Sequence, residues 1–140
     1  MEDQLKSRIR VACGKEKADL LIKNARVVDV FSGSIFPADV AIYNSIIIGF
    51  GDYNAREIID LKERFLCPGF IDGHIHVESS MVSVSEFARV VVPLGTTSIV
   101  ADPHEIANVM GLKGIKYIAE SGRLTPWMYV NEFRIVPLFE

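Results

Sequence analysis

The chain has 140 residues, of which 49% are hydrophobic, and its formal net charge at pH 7 is −3. This length suits one ordinary domain with a substantial core, and the apolar content excludes a disordered chain. The 15 basic residues are scattered among 18 acidic ones, a mixture that gives no support to an electrostatic nucleic-acid interface.

The sequence also gives no sign of a membrane partner. No apolar stretch approaches the ~20 residues of a membrane span, and the segment 1–4 (MEDQ) lacks the basic and apolar parts of a signal peptide. The two cysteines, Cys13 and Cys67, show no metal-ligand spacing. These features predict a cytoplasmic protein with reduced thiols, in which Cys67 is packed within an apolar strand.

The first half of the chain predicts a helix followed by a small sheet. Residues 1–17 are charged, and Leu5, Ile9 and Ala12 recur at near-helical spacing. From residue 18 to 64 short β-rich runs alternate with turn-formers, which predicts a β-sheet or half-sandwich domain. The runs are residues 20–22, 26–30, 39–43, 46–48 and 57–59.

From residue 65 to 140 the pattern alternates between strands and helices. Ser83 and Glu86 form a potential capping box before a helix that should end near Gly95. Repeated β-α units imply parallel strands with right-handed crossovers. A complete barrel needs about 250 residues, so this segment predicts the first two to three β-α units of an incomplete TIM-like barrel in an α/β protein. The predicted elements are strands at 70–76, 96–101 and from 127, a loop at 102–105 and a helix at 111–119.

The most informative motif ends the first of these strands, where residues 67–76 read CPGFIDGHIH. His74 and His76 lie on one face of a strand, with Cα atoms roughly 7 Å apart. Two imidazoles placed in this way can hold a divalent metal. The alternative is that they are ordinary polar residues at a strand end. Segment 102–105 lies at the corresponding end of the next strand, on the functional face of a parallel barrel, and this agreement favours the metal.

The order of these pieces resembles that of the metal-dependent amidohydrolases, in which a small β domain precedes a first barrel strand that ends in His-x-His. Residues 68–76 carry a string that this superfamily shares widely. Residues 76–81 and 95–108 are similar in particular to the adenine deaminase family, and the likeness covers about 18–122. The chain departs from that family at four places. The family pattern has glycine at the position of Ser45, a basic residue at that of Ile46 and histidine at that of Leu94. Over residues 131–137 it has Pro-Ser-Cys before Val-Pro.

The resemblance implies a hydrolytic deamination of adenine to hypoxanthine and ammonia. His74 and His76 would bind manganese or iron, in a binuclear site completed by residues beyond Glu140, in an enzyme that is a homo-oligomer when complete. The resemblance assigns catalytic or metal-contacting roles to Asp102, His104 and Glu105. Their alternative is a plain turn followed by a first helical turn.

The resemblance also places a substrate loop at Glu78, Ser79 and Ser80, for which ordinary loop polarity is an equal alternative. Asp72 is expected to orient His74 or to pack the strand end, rather than to act as a base. Two other functions stay open: an amidohydrolase acting on a different aminopurine or a cyclic amide, and a truncated, non-catalytic remnant. Because a parallel sheet of two or three strands leaves an edge unpaired, the isolated chain is predicted to be inactive and either poorly soluble or oligomeric.

Overall fold

The computed structural model describes residues 2–125 and 129–131. The chain divides into two compact units, Met1–Pro68 and Gly69–Glu140. Both units contain helix and strand, which confirms the α/β class.

The first unit contains one helix and a mixed five-stranded sheet in the order β3-β2-β1-β4, with β5 also paired to β1. β1 is antiparallel to β2 and parallel to β4 and β5. The pairing of β5 carries this unit to Pro68, past residue 64. Its elements are α1 (Glu2–Ala12), β1 (Ala18–Val28), β2 (Ile35–Tyr43), β3 (Ile46–Phe50), β4 (Ala55–Asp60) and β5 (Phe65–Leu66).

The first two predicted strands are a single strand in the structure, so that part of the prediction is wrong. β1 includes residues 20–22 and 26–28 and ends before residues 29 and 30 of the second run, and its register with β2 shifts between Ile22 and Ala25. Asn24 sits in this irregularity with φ 52°, a conformation that asparagine tolerates better than most residues. Its amide N–H donates to Asp39 Oδ1 at 2.8 Å, and its side-chain Nδ2 donates to Asp60 Oδ1 at 2.9 Å. These bonds allow the strand to continue.

The predicted turn between β2 and β3 is confirmed. Asn44 and Ser45 form a two-residue connection in which both have positive φ, 49° and 59°, as a type I′ hairpin requires. Val11 of α1 is buried in a cluster with Ala18, Leu21 and Ala41. Cys67, predicted to be packed, is exposed.

The second unit is a parallel three-stranded sheet, β6-β7-β8, joined by helices. This confirms the predicted β-α repeat. Residues 127 and 128 of the third predicted strand lie outside the described residues, as do residues 132–137. Its buried core contains Val77, Val84, Ala88, Ile99, Ala101 and Ile118. Its elements are β6 (Phe70–Ile75), the 3-10 helix η1 (Val77–Ser80), α2 (Val84–Val91), the 3-10 helix η2 (Val92–Leu94), β7 (Thr96–Ala101), α3 (His104–Met110), α4 (Leu112–Arg123) and β8 (Tyr129–Asn131).

The predicted capping box at the start of α2 is only half formed. Ser83 Oγ accepts a hydrogen bond from the Glu86 N–H at 3.4 Å. The Glu86 carboxylate does not reach back; its Oε2 pairs with Arg89 Nη2 at 2.9 Å. Gly95, with φ 107°, ends the helical segment as predicted.

The predicted loop at 102–105 is shorter than expected, because α3 already begins at His104. Glu105 lies in the first turn of this helix, where an acidic side chain is favourable. Gly111, with φ 60°, separates α3 from α4. None of the helices described between residues 2 and 125 is long and apolar enough to cross a lipid bilayer.

Candidate functional site

Two histidines converge where β6 ends. The register between β6 and β7 shifts between Asp72 and Ile75, and the Nε2 atoms of His74 and His76 lie 3.1 Å apart. The His74 side chain is exposed and that of His76 is half-buried. Asp72 Oδ1 accepts a hydrogen bond from the backbone N–H of His74 at 3.1 Å, so Asp72 holds the main chain of His74.

The ring of His76 is fixed by a hydrogen bond to the next strand end. Its Nδ1 lies 2.7 Å from the backbone oxygen of Asp102. A carbonyl oxygen only accepts hydrogen bonds, so Nδ1 carries the proton, and in the neutral ring the lone pair is on Nε2. This is the tautomer in which Nε2, the atom that faces His74, is available as a metal ligand.

Asp102 completes a group of three potential ligands at the end of β7. The ligand atoms of His74, His76 and Asp102 all lie within 4.8 Å of one another. Asp102 is partly buried, and its N–H donates to the carbonyl of Ile75 at 2.9 Å, which joins the two strand ends. Two imidazoles and one carboxylate suit a divalent first-row transition metal. The residues therefore fit a metal ion.

His104 lies beside this group. Its Nδ1 is 3.3 Å from Asp102 Oδ2, and its ring packs edge-on against that of His76, with centroids 4.6 Å apart. All three histidines of the chain thus gather with Asp102 at the carboxyl ends of two adjacent parallel strands.

The three polar residues of the predicted substrate loop, Glu78, Ser79 and Ser80, form hydrogen bonds to other groups of the chain. Ser79 Oγ lies 2.8 Å from both carboxylate oxygens of Glu105. Glu78 Oε1 accepts from the backbone N–H of Ile106 at 3.3 Å. Ser80 Oγ donates to the carbonyl of residue 77 at 2.5 Å. The bonds of Ser79 and Glu78 link η1 to the start of α3, and that of Ser80 lies within η1.

Two backbone groups of this region were not predicted from the sequence: the carbonyl of Asp102 and the N–H of Ile106. Every residue other than proline has both groups, so residue type gives no signal of their use. An acidic residue at position 105 was the available signal for the start of α3.

Comparisons with known proteins identify the family of the chain. Residues 65–136, about half of the chain, match the Amidohydrolase family. The chain belongs to the amidohydrolase family. It is 52% identical over 124 residues to an adenine deaminase from Petrotoga mobilis, a match that covers 89% of this chain and 22% of the relative. It is 55% identical over 124 residues to an adenine deaminase from Listeria welshimeri, covering 88% of this chain and 21% of the relative.

A solved structure shares the fold of part of this amidohydrolase chain. It is the N-acyl-D-glutamate deacylase from Bordetella bronchiseptica, crystallised with zinc and a phosphonate inhibitor. Its TM-score is 0.53 at 26% sequence identity, and the match covers 61% of this chain and 19% of that protein. The chain thus spans about a fifth of the length of the curated relatives it matches. Membership of the family implies hydrolase chemistry with a divalent metal.

Proposed function

We propose that this chain supplies the first metal ligands of an adenine deaminase, which hydrolyses adenine to hypoxanthine and ammonia. The observation that carries the proposal is the convergence of His74, His76 and Asp102 in a chain more than 50% identical to adenine deaminases over 124 residues. The reaction adds water at C6 of the purine and releases the 6-amino group as ammonia, as in deaminases of a different fold.

The proposed metal is manganese or iron, in a site that is binuclear once further ligands are present. His74, His76 and Asp102 would hold it, and their mixed nitrogen and oxygen donors suit either metal. A divalent ion held by these residues would lower the pKa of bound water toward about 7 and would so supply hydroxide at neutral pH. The hydrogen bond from His76 Nδ1 to the Asp102 carbonyl supports this role, because it leaves Nε2 free.

Proton transfer is proposed for Asp102 and His104. The contact between His104 Nδ1 and Asp102 Oδ2 at 3.3 Å places a donor beside an acceptor, so the pair can take up and release a proton. Glu105 is proposed to line the substrate pocket at the carboxyl ends of β6 and β7. Glu78, Ser79 and Ser80 are proposed to shape the loop around adenine, with their bonds to α3 and to residue 77 holding its form.

In the proposed enzyme, the second unit is the beginning of a TIM-like barrel in a cytoplasmic homo-oligomer. Phe70 and Ile71 of β6 are 60% and 67% exposed, and β6 is an edge strand of the described sheet. Exposed apolar edges promote association. The isolated chain should therefore be oligomeric or poorly soluble, and inactive toward adenine; a soluble, monomeric and active chain would contradict this.

A chimera tests the proposed activity. This chain replaces the segment of the Petrotoga mobilis adenine deaminase to which it is similar, and ammonia release from adenine is measured with manganese under reducing conditions. We expect turnover in the chimera and its loss, together with bound metal, in His74→Ala and His76→Ala. A folded, metal-loaded chimera that releases no ammonia would contradict the proposal.

One alternative is an amidohydrolase that acts on a cyclic amide or another aminopurine. The likeness to a deacylase at 26% identity supports a wider range of substrates within the family. Assaying the chimera with a cyclic amide and with guanine separates this alternative from adenine deamination. We expect an adenine deaminase to turn over adenine alone.

A further inference from the structure

The segment η1 is tied to the start of α3 by two hydrogen bonds from adjacent residues. Glu78 Oε1 accepts from the Ile106 N–H at 3.3 Å, and Ser79 Oγ donates to the Glu105 carboxylate at 2.8 Å. Two successive residues of one segment thus meet two successive residues of the other. The pair of bonds fixes both the position and the direction in which α3 begins.

The start of α3 lacks a cap of its own. The first N–H groups of any helix have no acceptor within the helix, and local side chains of serine, threonine, aspartate or asparagine usually provide one. Pro103 occupies the cap position of α3 and makes no side-chain hydrogen bond to it. The Glu78 carboxylate supplies this acceptor from another segment. A helix of only seven residues depends strongly on such contacts.

The burial of Glu78 is difficult to explain as loop polarity. Its Oε2 is buried and accepts no hydrogen bond within the described part of the chain. Burying a carboxylate oxygen without a partner costs free energy. The preceding residue, Val77, is fully buried in the core, which holds the backbone of Glu78 in place. Ser79 and Glu105, in contrast, are exposed.

We propose that Glu78 is a positioning residue that holds α3, and with it Asp102 and His104, against His76. Asp102 and His104 immediately precede the anchored residues, and both contact His76 or each other. Releasing the Ile106 N–H should loosen this strand end and separate the ligand atoms. The proposal rests on the proposed function in treating these residues as the reactive site.

The test uses the full chain and Mn²⁺ alone, without adenine. Glu78→Met keeps the volume but removes the acceptor, whereas Glu78→Gln keeps an oxygen acceptor without the charge. We expect Glu78→Met to speed exchange of the Ile106 amide at least about tenfold and to weaken Mn²⁺ binding about 10- to 100-fold. Glu78→Gln should keep both within about threefold. Glu86→Ala, which removes an exposed carboxylate paired with Arg89, is the control.

Two outcomes would overturn the proposal. One is a Glu78→Met chain with unchanged Ile106 exchange and Mn²⁺ affinity; the other is a folded Glu78→Gln chain that loses both. If Glu78→Met does not fold, the Glu78→Gln result decides. The chimera separates this proposal from the proposed function. An unmodified chimera that is inactive toward adenine counts against adenine deamination only. The positioning role of Glu78 is tested by amide exchange and Mn²⁺ affinity, which do not depend on that activity.

Discussion

The backbone carbonyl of Asp102 accepts a 2.7 Å hydrogen bond from Nδ1 of His76, while the side chain of Asp102 belongs to the same ligand group as that histidine. The carbonyl selects the tautomer of His76, and the carboxylate offers an oxygen ligand. One residue thus contributes to the site through two chemically separate groups. Substitution removes only the carboxylate, so the two contributions can be measured separately.

The Asp102→Asn variant should lose metal affinity without changing the tautomer of His76. Replacing the carboxylate by an amide should weaken Mn²⁺ binding at least about tenfold, because a charged oxygen ligand is lost. The His76 Nδ1 proton should stay, since the backbone carbonyl is unchanged. Calorimetric titration and nitrogen chemical shifts of the imidazole measure the two effects, with the exposed Asp52→Asn as control. A changed tautomer would contradict this division of roles.

The three histidines should differ in their effect on metal binding. His76 contacts His74, His104 and the Asp102 carbonyl, so His76→Ala should weaken Mn²⁺ binding most, by more than about 10-fold. His74→Ala should follow. His104→Ala is the matched control, because His104 lies outside the group of three ligands, and its effect should be the smallest. Equal losses in all three variants would contradict this order.

The parallel β-α order was predicted from the sequence, and so was the position of His74 and His76 on one face at a strand end. Both predictions use local properties, namely strand alternation and β-branched runs. The continuation of β1 through Asn24 was not predicted, since it depends on bonds to Asp39 and Asp60, which are distant in sequence. The hydrogen bond from the Ile106 N–H to Glu78 near the start of α3 likewise joins residues that are distant in sequence. Contacts of this kind leave no local pattern in the sequence.

Ser45→Gly should stabilise the first unit. Ser45 has φ 59°, a left-handed conformation that costs a residue with a Cβ about 1 to 2 kcal/mol. Glycine removes that cost but loses more entropy on folding, so the net gain should be about 0.5 to 1 kcal/mol. Thermal unfolding should show a midpoint higher by about 2–4 °C. Ser45→Ala keeps the Cβ, and a gain as large as that of glycine would contradict the explanation.

Gly69→Ala should destabilise the second unit. A Cβ at Gly69 would overlap the side chain of Thr97 on β7, coming closest to its Oγ1. Overpacking of this kind costs about 1–3 kcal/mol. Combining Gly69→Ala with Thr97→Ala should recover much of the loss, and denaturant unfolding of the two single variants and the double variant gives the coupling free energy. Additive losses would contradict a direct clash.

The first unit should lose stability in acid partly through Asp60. Hydrogen bonds from the Asn24 side chain and the Lys62 N–H lower the pKa of Asp60 below its ordinary value. An acid whose pKa is lower in the folded state stabilises the fold above the unfolded pKa, near 4, and loses that contribution as the pH falls through its folded pKa. Asp60→Asn should therefore show a smaller drop in unfolding midpoint between pH 7 and pH 3. An unchanged drop would contradict this assignment, and Asp52→Asn is the control.

The most direct measurement of the central claim is ammonia release from adenine by the chimera, with bound manganese measured in the same sample. We predict turnover with metal bound, and the parallel loss of both in His74→Ala, His76→Ala and Asp102→Asn. Full turnover in these variants, or a metal-loaded chimera inactive toward adenine, would contradict the claim that these three residues begin the metal site of an adenine deaminase.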